Sequence, residues 1–486
     1  MDIVNQEWFQ QLFILPASQI PWWAEVVRSV LRLLIGVLGA LGSVPILVWL
    51  ERRLLGFFQG RLGPNRVGPQ GLLQPVADAL KLFLKEDIIP TNVDRTLYVM
   101  APGVALAPII MSITVLPWNA SREWGAVAPG LDIGILFLLG VASIEVYGVI
   151  LAGWSSNNKY SLLGGLRASS QVISYELGMG LSIIAVLLMS GTLGTQDLVT
   201  GYVPGQTYPY ESGTALTNGQ GHIVFSEMPN SGGLYAWEHA WFSGIWHWNV
   251  LKLFPFGLIA AFIYMVSMIA ETNRAPFDLP EAETELVAGF HTEYTSFKFA
   301  MFFMGEYANM LIVSAICVTL FFGGWLAPLG FLSQVPTAIA MSLPAWMVVF
   351  LNYWIISPFW FVLKLYLLIA SFILVRATFP RLRYDMLMKF GWKFLLPLAL
   401  ANLVLIAISI AIQETSKTNG VNSVMAWWYG QIVAWALLAI GLLIGFLSYR
   451  SAWYAKHKGA ESTELVPVIR EPVTVAMPSQ PAPEVQ

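Results

Sequence analysis

The sequence predicts an all-α integral membrane protein of about nine transmembrane helices, with one further amphipathic helix on the inner face. Three observations predict it. Of 486 residues, 56% are hydrophobic and 11% charged, against about 25% charged in soluble domains. Mean hydropathy is +0.64. Apolar runs of about 20 residues, the length that crosses a bilayer core, recur along most of the chain. The 20 Trp and 17 Tyr can supply the aromatic belts found at membrane surfaces. Net charge is −3, so nothing points to nucleic acid. No basic segment precedes a short apolar stretch with a cleavage site, so no cleaved signal peptide is expected.

Spans are expected at 30–50, 97–117, 131–153, 168–190, 251–271, 298–323, 353–375, 392–412 and 425–449. Basic residues test this arrangement. Connection 51–96 holds Arg52, Arg53, Arg61, Arg66, Lys81, Lys85 and Arg95, whereas 191–250 and 324–352 hold no Lys or Arg. Rich and poor connections alternate along the whole chain. The positive-inside rule then places the N-terminus outside and the C-terminus inside. Residues 1–29 form an outer N-terminal segment, and 30–413 carry eight spans. Their inner loops are 51–96, 154–167, 271–298 and 376–391, and 196–250 is an outer insertion. Span 425–449 and an inner tail, 450–486, follow; the end of the tail is Pro-rich and is expected to be disordered. Arg28 and Arg32, at the outer end of the first span, are expected to snorkel to water.

Within the first inner loop, GLLQPVADALKLFLKE (71–86) places Gln74, Asp78, Lys81 and Lys85 on one helical stripe. Leu72, Leu73, Val76, Leu80, Phe83 and Leu84 take the other. Such a helix lies along the membrane interface or against a partner.

Ionisable residues inside spans are costly and normally functional. Glu145, Glu176 and Glu306 come from three different spans. Counted at the helical rise, each sits roughly 12–14 Å below the inner surface. Lys364 lies deeper, roughly 18 Å, and Glu271 marks the inner end of the fifth span. An isolated structural ion pair is the bland alternative, but three carboxylates at one depth fit a proton path better. Carboxylates brought close in a low-dielectric interior disfavour one another's charged forms, a condition for taking up and releasing protons.

The loop ETNRAPFDLPEAETELVAGFHTEYTSFK (271–298) is the most distinctive stretch. Acidic loops are usually just solvated. Here Glu271, Asp278, Glu281, Glu283, Glu285 and Glu293 are interleaved with Phe277, Leu279, Leu286, Val287, Phe290 and Tyr294. That interleaving suggests a packed loop whose acids line something buried. Cys317 is the sole cysteine, too few for an iron–sulfur cluster, which takes about four ligands. The five histidines lack metal-ligand spacing. No metal or redox centre is therefore expected within this chain.

Four segments carry a resemblance. ERRLLGFFQGRLGPNRVGPQGLLQPVADALKLFLKED (51–87), GWSSNNKYSLLGGLRASSQVISYELGMG (153–180), ETNRAPFDLPEAETELVAGFHTEY (271–294) and RATFPRLRYDMLM (376–388) are similar, in this order, to the inner loops of a known family. It is the H subunit of proton-pumping NADH:quinone oxidoreductase, respiratory complex I, whose mitochondrial counterpart is subunit 1. The resemblance covers about 28–413. It implies a membrane subunit without a redox centre that docks the hydrophilic arm, forms much of the quinone tunnel and couples quinone reduction to proton translocation. By motif, Arg61 of GRLGPN, Asp78 of ADALK, and Arg274 and Phe277 of NRAPF would shape the quinone cavity. Glu176, Glu271, the acids of PEAETE (Glu281, Glu283, Glu285), Glu293 and Glu306 would form an acidic route toward antiporter-like membrane subunits. Arg376, Arg381, Arg383 and Asp385 would meet the hydrophilic arm. Glu145 and Lys364 join the coupling set on depth alone. The expected partners are the other subunits, lipid and quinone, and the expected site is the bacterial inner membrane.

Two other readings compete. One is the related membrane subunit of a ferredoxin- or hydrogenase-linked proton or sodium pump, against which the intact GRLGPNRVGP loop argues. The other is a stand-alone ion channel or transporter, for which internal repeats are missing.

Overall fold

The computed structural model describes residues 20–121, 124–129, 131–200, 217–218, 222–223, 245, 248–252, 254–278, 288–329, 332, 347, 350–419, 425, 428–433, 435–441 and 450. Their regular structure is helical, apart from β1 (Thr217–Asn218) and β2 (His222–Ile223), which pair antiparallel. Most of the insertion 196–250, the acids Glu281, Glu283 and Glu285, and nearly all of the tail 450–486 lie outside the described residues.

Helix α1 (Trp22–Phe58) runs 37 residues, well beyond the roughly 20 that a bilayer requires. A short turn at Pro69–Gly71 leads into α2 (Gln74–Leu84), the expected amphipathic helix. Helix α3 (Arg95–Ile113) starts at Asp94, whose carboxylate accepts from the amides of Thr96 and Leu97 at 3.2 and 3.3 Å. These bonds satisfy two of the donors that every helix start leaves open. Helix α4 (Gly134–Ser155) follows. Helix α5 (Lys159–Ser190) is capped by Asn158 and stopped by Gly191 at φ 71°, a left-handed position that glycine adopts without steric cost. Much of the expected inner loop 154–167 is therefore the first turns of α5, because the Asn158 cap starts the helix early.

After α6 (Thr195–Thr200), the expected fifth span is divided into α7 (Asn249–Lys252) and α8 (Phe256–Glu271). Pro255 has no amide to donate and stands just before α8. Then come α9 (Ser296–Leu320), α10 (Ser357–Thr378), α11 (Tyr384–Phe390), α12 (Leu396–Thr418) and α13 (Trp428–Gly441). A π turn at Leu351–Ile356 runs into α10, and another at Gly391–Leu395 joins α11 to α12. Among the described residues, seven helical stretches are long and apolar enough to cross a membrane, and α8 and α13 are shorter apolar helices. Every expected span meets helix, and the molecule is an integral membrane protein. It divides into two units, Met1–Gln431 and Ile432–Gln486. The described part of the second unit is mainly the continuation of α13.

The heaviest packing in the first unit joins α3 to α4, α8 to α5 and α4 to α5. Small residues permit it, as is usual where lipid supplies no hydrophobic drive between helices. A Cβ on Gly148 would stand 2.6 Å from Ala105 Cα, and one on Gly164 would stand 2.7 Å from Gly289 Cα. The second contact seats the 288–296 turn on α5. Around it, Tyr98, Ala152, Ala168, Phe290, Tyr294 and Phe302 form one buried cluster. Tyr175, Ile263, Ala270, Phe277, Leu387 and Leu395 form another. Arg28 and Arg32 correct the snorkelling expectation. They are 0% and 2% exposed, and both pair with Glu25, so a local carboxylate replaces water.

Candidate functional site

Four charged side chains meet where α1, the turn after α8, α9 and α10 come together. Glu51, near the end of α1, is 5% exposed. Its Oε1 accepts from Arg376 in the last turn of α10. Its Oε2 accepts from the Tyr307 hydroxyl of α9 at 2.8 Å. Arg274, just past α8, places Nη1 4.0 Å from Glu51 and Nη2 3.9 Å from Glu306. The guanidinium also lies over the Tyr307 ring, 4.2 Å from its centre, where the ring's negative face attracts it. Arginines and carboxylates thus alternate as Arg376–Glu51–Arg274–Glu306. An arrangement of this kind offsets the large cost of removing each charge from water.

The turn carrying Arg274 is held from inside. Gln171 of α5, fully buried, donates through Nε2 to the carbonyls of Ala270 at 2.7 Å and Phe277 at 2.8 Å. Phe277 is 6% exposed and packs at 5.8 Å from the Tyr175 ring. Asp278 accepts from Arg381 at 3.1 Å.

From Glu306 the set continues along α9. Asn309 lies one turn further from the Ser296 end, and its Nδ2 donates to Glu145 Oε1 at 3.1 Å. Glu145, Glu271, Asn309 and Tyr264 line a cavity of about 30 Å³ with Ile135, Ile183 and Ile312. That volume has room for about two water molecules. Glu176 accepts from the Ser143 hydroxyl of α4, two residues before Glu145. Glu145, Glu176 and Glu271 feel one another's charge. Glu145 of α4 and Glu271 of α8 thus share a water-sized space, Glu176 of α5 is held nearby by Ser143, and Glu306 stands one turn from the Asn309 that serves Glu145.

The other expected residues lie elsewhere. Glu293 accepts from Asn158 Nδ2 at 2.6 Å, and its carbonyl accepts from Tyr98 at 2.6 Å. Tyr98 and Tyr294 stack at 4.2 Å, and burial pushes the Tyr294 hydroxyl up to about 12. These contacts tie the start of α3 and the α4–α5 connection to the turn around Glu293. Arg61 is exposed and donates to Gln59 at 2.7 Å. Asp78 accepts from Arg52 at 2.5 Å and Gln74 at 3.3 Å, so the polar stripe of α2 meets α1 at Asp78, while Lys81 and Lys85 are exposed. The apolar stripe, from Leu72 to Leu84, is exposed. Arg383 and Asp385 are exposed, and Arg381 is half exposed. Arg376 instead turns inward to Glu51.

Lys364 stands apart from the acids. Its ammonium donates to the carbonyls of Phe322, Gly324 and Leu326 at 2.7, 2.8 and 2.5 Å. It also faces the Trp248 ring at 4.7 Å. Among the described residues, no carboxylate lies within ion-pair distance of it.

Sequence reasoning missed Glu51, Ser143, Gln171, Tyr307 and Asn309 as site residues. Glu51 had a legible signal, an acid at a span end directly before Arg52 and Arg53. The four neutral residues had none, because only their partners mark them out.

The profile of the family described as NADH dehydrogenase matches residues 31–407. The NADH-quinone oxidoreductase H subunit 2 of Koribacter versatilis is 43% identical over 79% of this chain and 97% of its own length. The H subunit 2 of Geobacter metallireducens is 40% identical over 80% and 97%. The H subunit of Dehalococcoides mccartyi is 42% identical over 78% and 87%. With its helical membrane architecture, its inner-loop motifs and this match over most of its length, the chain belongs to the NADH dehydrogenase family, among the H subunits of the enzyme complex NADH-quinone oxidoreductase.

Proposed function

We propose that this chain forms much of the quinone tunnel of a proton-translocating NADH:quinone oxidoreductase and couples quinone reduction to proton movement through its intramembrane carboxylates. The observation that carries this reading is the alternating series Arg376–Glu51–Arg274–Glu306, which ends one helical turn from Asn309, the partner of Glu145 beside the cavity. In this reading, Arg61, Asp78, Arg274 and Phe277 shape the space that admits the quinone. Phe277 does so from below, by fixing the turn that presents Arg274. The chain supplies no electron carrier. Electrons from NADH reach the quinone through redox centres in partner subunits of the hydrophilic arm, which Arg381, Arg383 and Asp385 meet. Reduction of the quinone changes the charge beside Arg274. That change passes to Glu306 and then to Glu145, Glu176 and Glu271, and Glu281, Glu283, Glu285 and Glu293 belong to the same acidic route. The acids relay it toward antiporter-like subunits in the bacterial inner membrane.

The physical basis is electrostatic. A carboxylate in low dielectric responds strongly to a unit charge several ångströms away, whereas in bulk water the same change is largely screened. The test is purification of the intact complex through a tag on this chain. Co-purification with hydrophilic-arm and antiporter-like subunits, and NADH:quinone reduction blocked by a quinone-site inhibitor, are the expected results. An active complex insensitive to that inhibitor would favour the hydrogenase-linked reading. A stable, ion-conducting monomer would favour the transporter reading.

A further inference from the structure

Glu51, which no motif assigned, is held from three sides. Three elements converge on its carboxylate: Arg376 from α10, Tyr307 from α9, and Arg274 from the turn after α8. Arg376 and Tyr307 fix its position. Arg274 is held differently, standing 4.0 Å from Glu51 and 3.9 Å from Glu306. Both separations are ion-pair contacts longer than a direct hydrogen bond. Closing on one carboxylate therefore draws the guanidinium away from the other. The Tyr307 ring beneath it offers a flat face along which a planar cation can shift while keeping its attraction.

We infer that Glu51 is a positioning residue that holds Arg274 midway between itself and Glu306, so that the guanidinium reports charge in the quinone cavity by shifting between the two carboxylates. The inference rests on the reading of Arg274 as a cavity residue. The two guanidinium groups and two carboxylates balance formally, and the shift makes or breaks no covalent bond. A negative charge arriving beside Arg274 weakens its hold on the acids. Glu51 does not follow the guanidinium, because Arg376 and Tyr307 retain it. The change is therefore delivered to Glu306, one turn from Asn309. Without a fixed Glu51, Arg274 would collapse onto Glu306 and the two-position element would be lost.

The test uses the intact complex in its native membrane. Reduction of ferricyanide by NADH, which bypasses the quinone, serves as the control for assembly. Glu51→Gln preserves shape and still accepts from Tyr307. It is expected to lower quinone reduction at least about tenfold, a barrier change near 1.4 kcal/mol, with ferricyanide reduction unchanged. Glu51→Asp, which restores the charge, is expected to recover part of that loss. A double-mutant cycle separates this role from simple support of the fold. If both acids act through Arg274, Glu51→Gln with Glu306→Gln is no worse than the worse single variant. Penalties that multiply, or normal quinone reduction in Glu51→Gln, would overturn the inference. Arg274→Gln distinguishes the two levels. Its impairment beside a harmless Glu51→Gln overturns only the inference, whereas normal activity in Arg274→Gln overturns the cavity reading itself. Should Glu51→Gln fail to accumulate, Tyr307→Phe retains the ring and removes one anchor of Glu51. A loss of about fivefold is then expected, and an unchanged rate would overturn the inference.

Discussion

Gln171 is a neutral side chain that fixes the position of a charged one. Its amide holds the carbonyls of Ala270 and Phe277, and between them lies Arg274. Gln171→Leu should orphan both carbonyls at about 1–3 kcal/mol each. The measurable outcome is a raised KM for quinone together with reduced accumulation of the complex. Lys364 yields the opposite pattern. Its three carbonyl bonds organise the turn after α9, and Lys364→Met leaves that turn unsupported. Less chain should then accumulate in the membrane, while protons moved per electron in the surviving complex stay unchanged. A lowered ratio would return Lys364 to the coupling set. At this scale the sequence was partly legible. Helical rise alone picked out Glu145, Glu176 and Glu306 as acids that need an explanation. It could not reveal that Ser143 and Asn309 serve two of them, because hydrogen-bond partners depend on the rotation of neighbouring helices. Glu51 was visible beside two arginines at a span end, but such an acid reads as interfacial until its burial is known.

The crossing of α3 and α4 has no slack. Gly148→Val would force branched carbon into the backbone of Ala105, where even a Cβ stands 2.6 Å from Cα. Helix separation there would displace Glu145, so neither accumulation nor quinone reduction is expected to survive, as a membrane immunoblot and a reductase assay would record. The junction of α1 and α2 is softer. Arg52 and Asp78 are 44% and 26% exposed, and partly exposed pairs contribute about 0–1 kcal/mol. Asp78→Asn should therefore leave accumulation normal. If α2 borders the quinone tunnel, it should still raise the KM for quinone, because the helix loses the charge that orients it. Most elements were legible in hydropathy and periodicity. The π turns at Leu351–Ile356 and Gly391–Leu395 were not, since one extra residue per turn barely alters an apolar pattern. The division of the fifth span was visible only as Pro255.

Across the whole molecule, the series Arg376–Glu51–Arg274–Glu306 points toward the acids around the cavity, and the Arg381–Asp278 pair holds the turn that carries Arg274. Motifs and depth identified these acids and arginines except Glu51, and the fold supplies their order. A relay requires that each member perturb the next, which a set of unrelated buried ion pairs does not. Glu176 lies at the inner end of this series, held by Ser143 and within the field of Glu145 and Glu271. The most direct measurement is therefore simultaneous quinone reduction and proton translocation by the intact complex carrying Glu176→Gln. The account predicts that both fall together, at least about tenfold, while NADH-driven ferricyanide reduction persists. Normal values for both would contradict it.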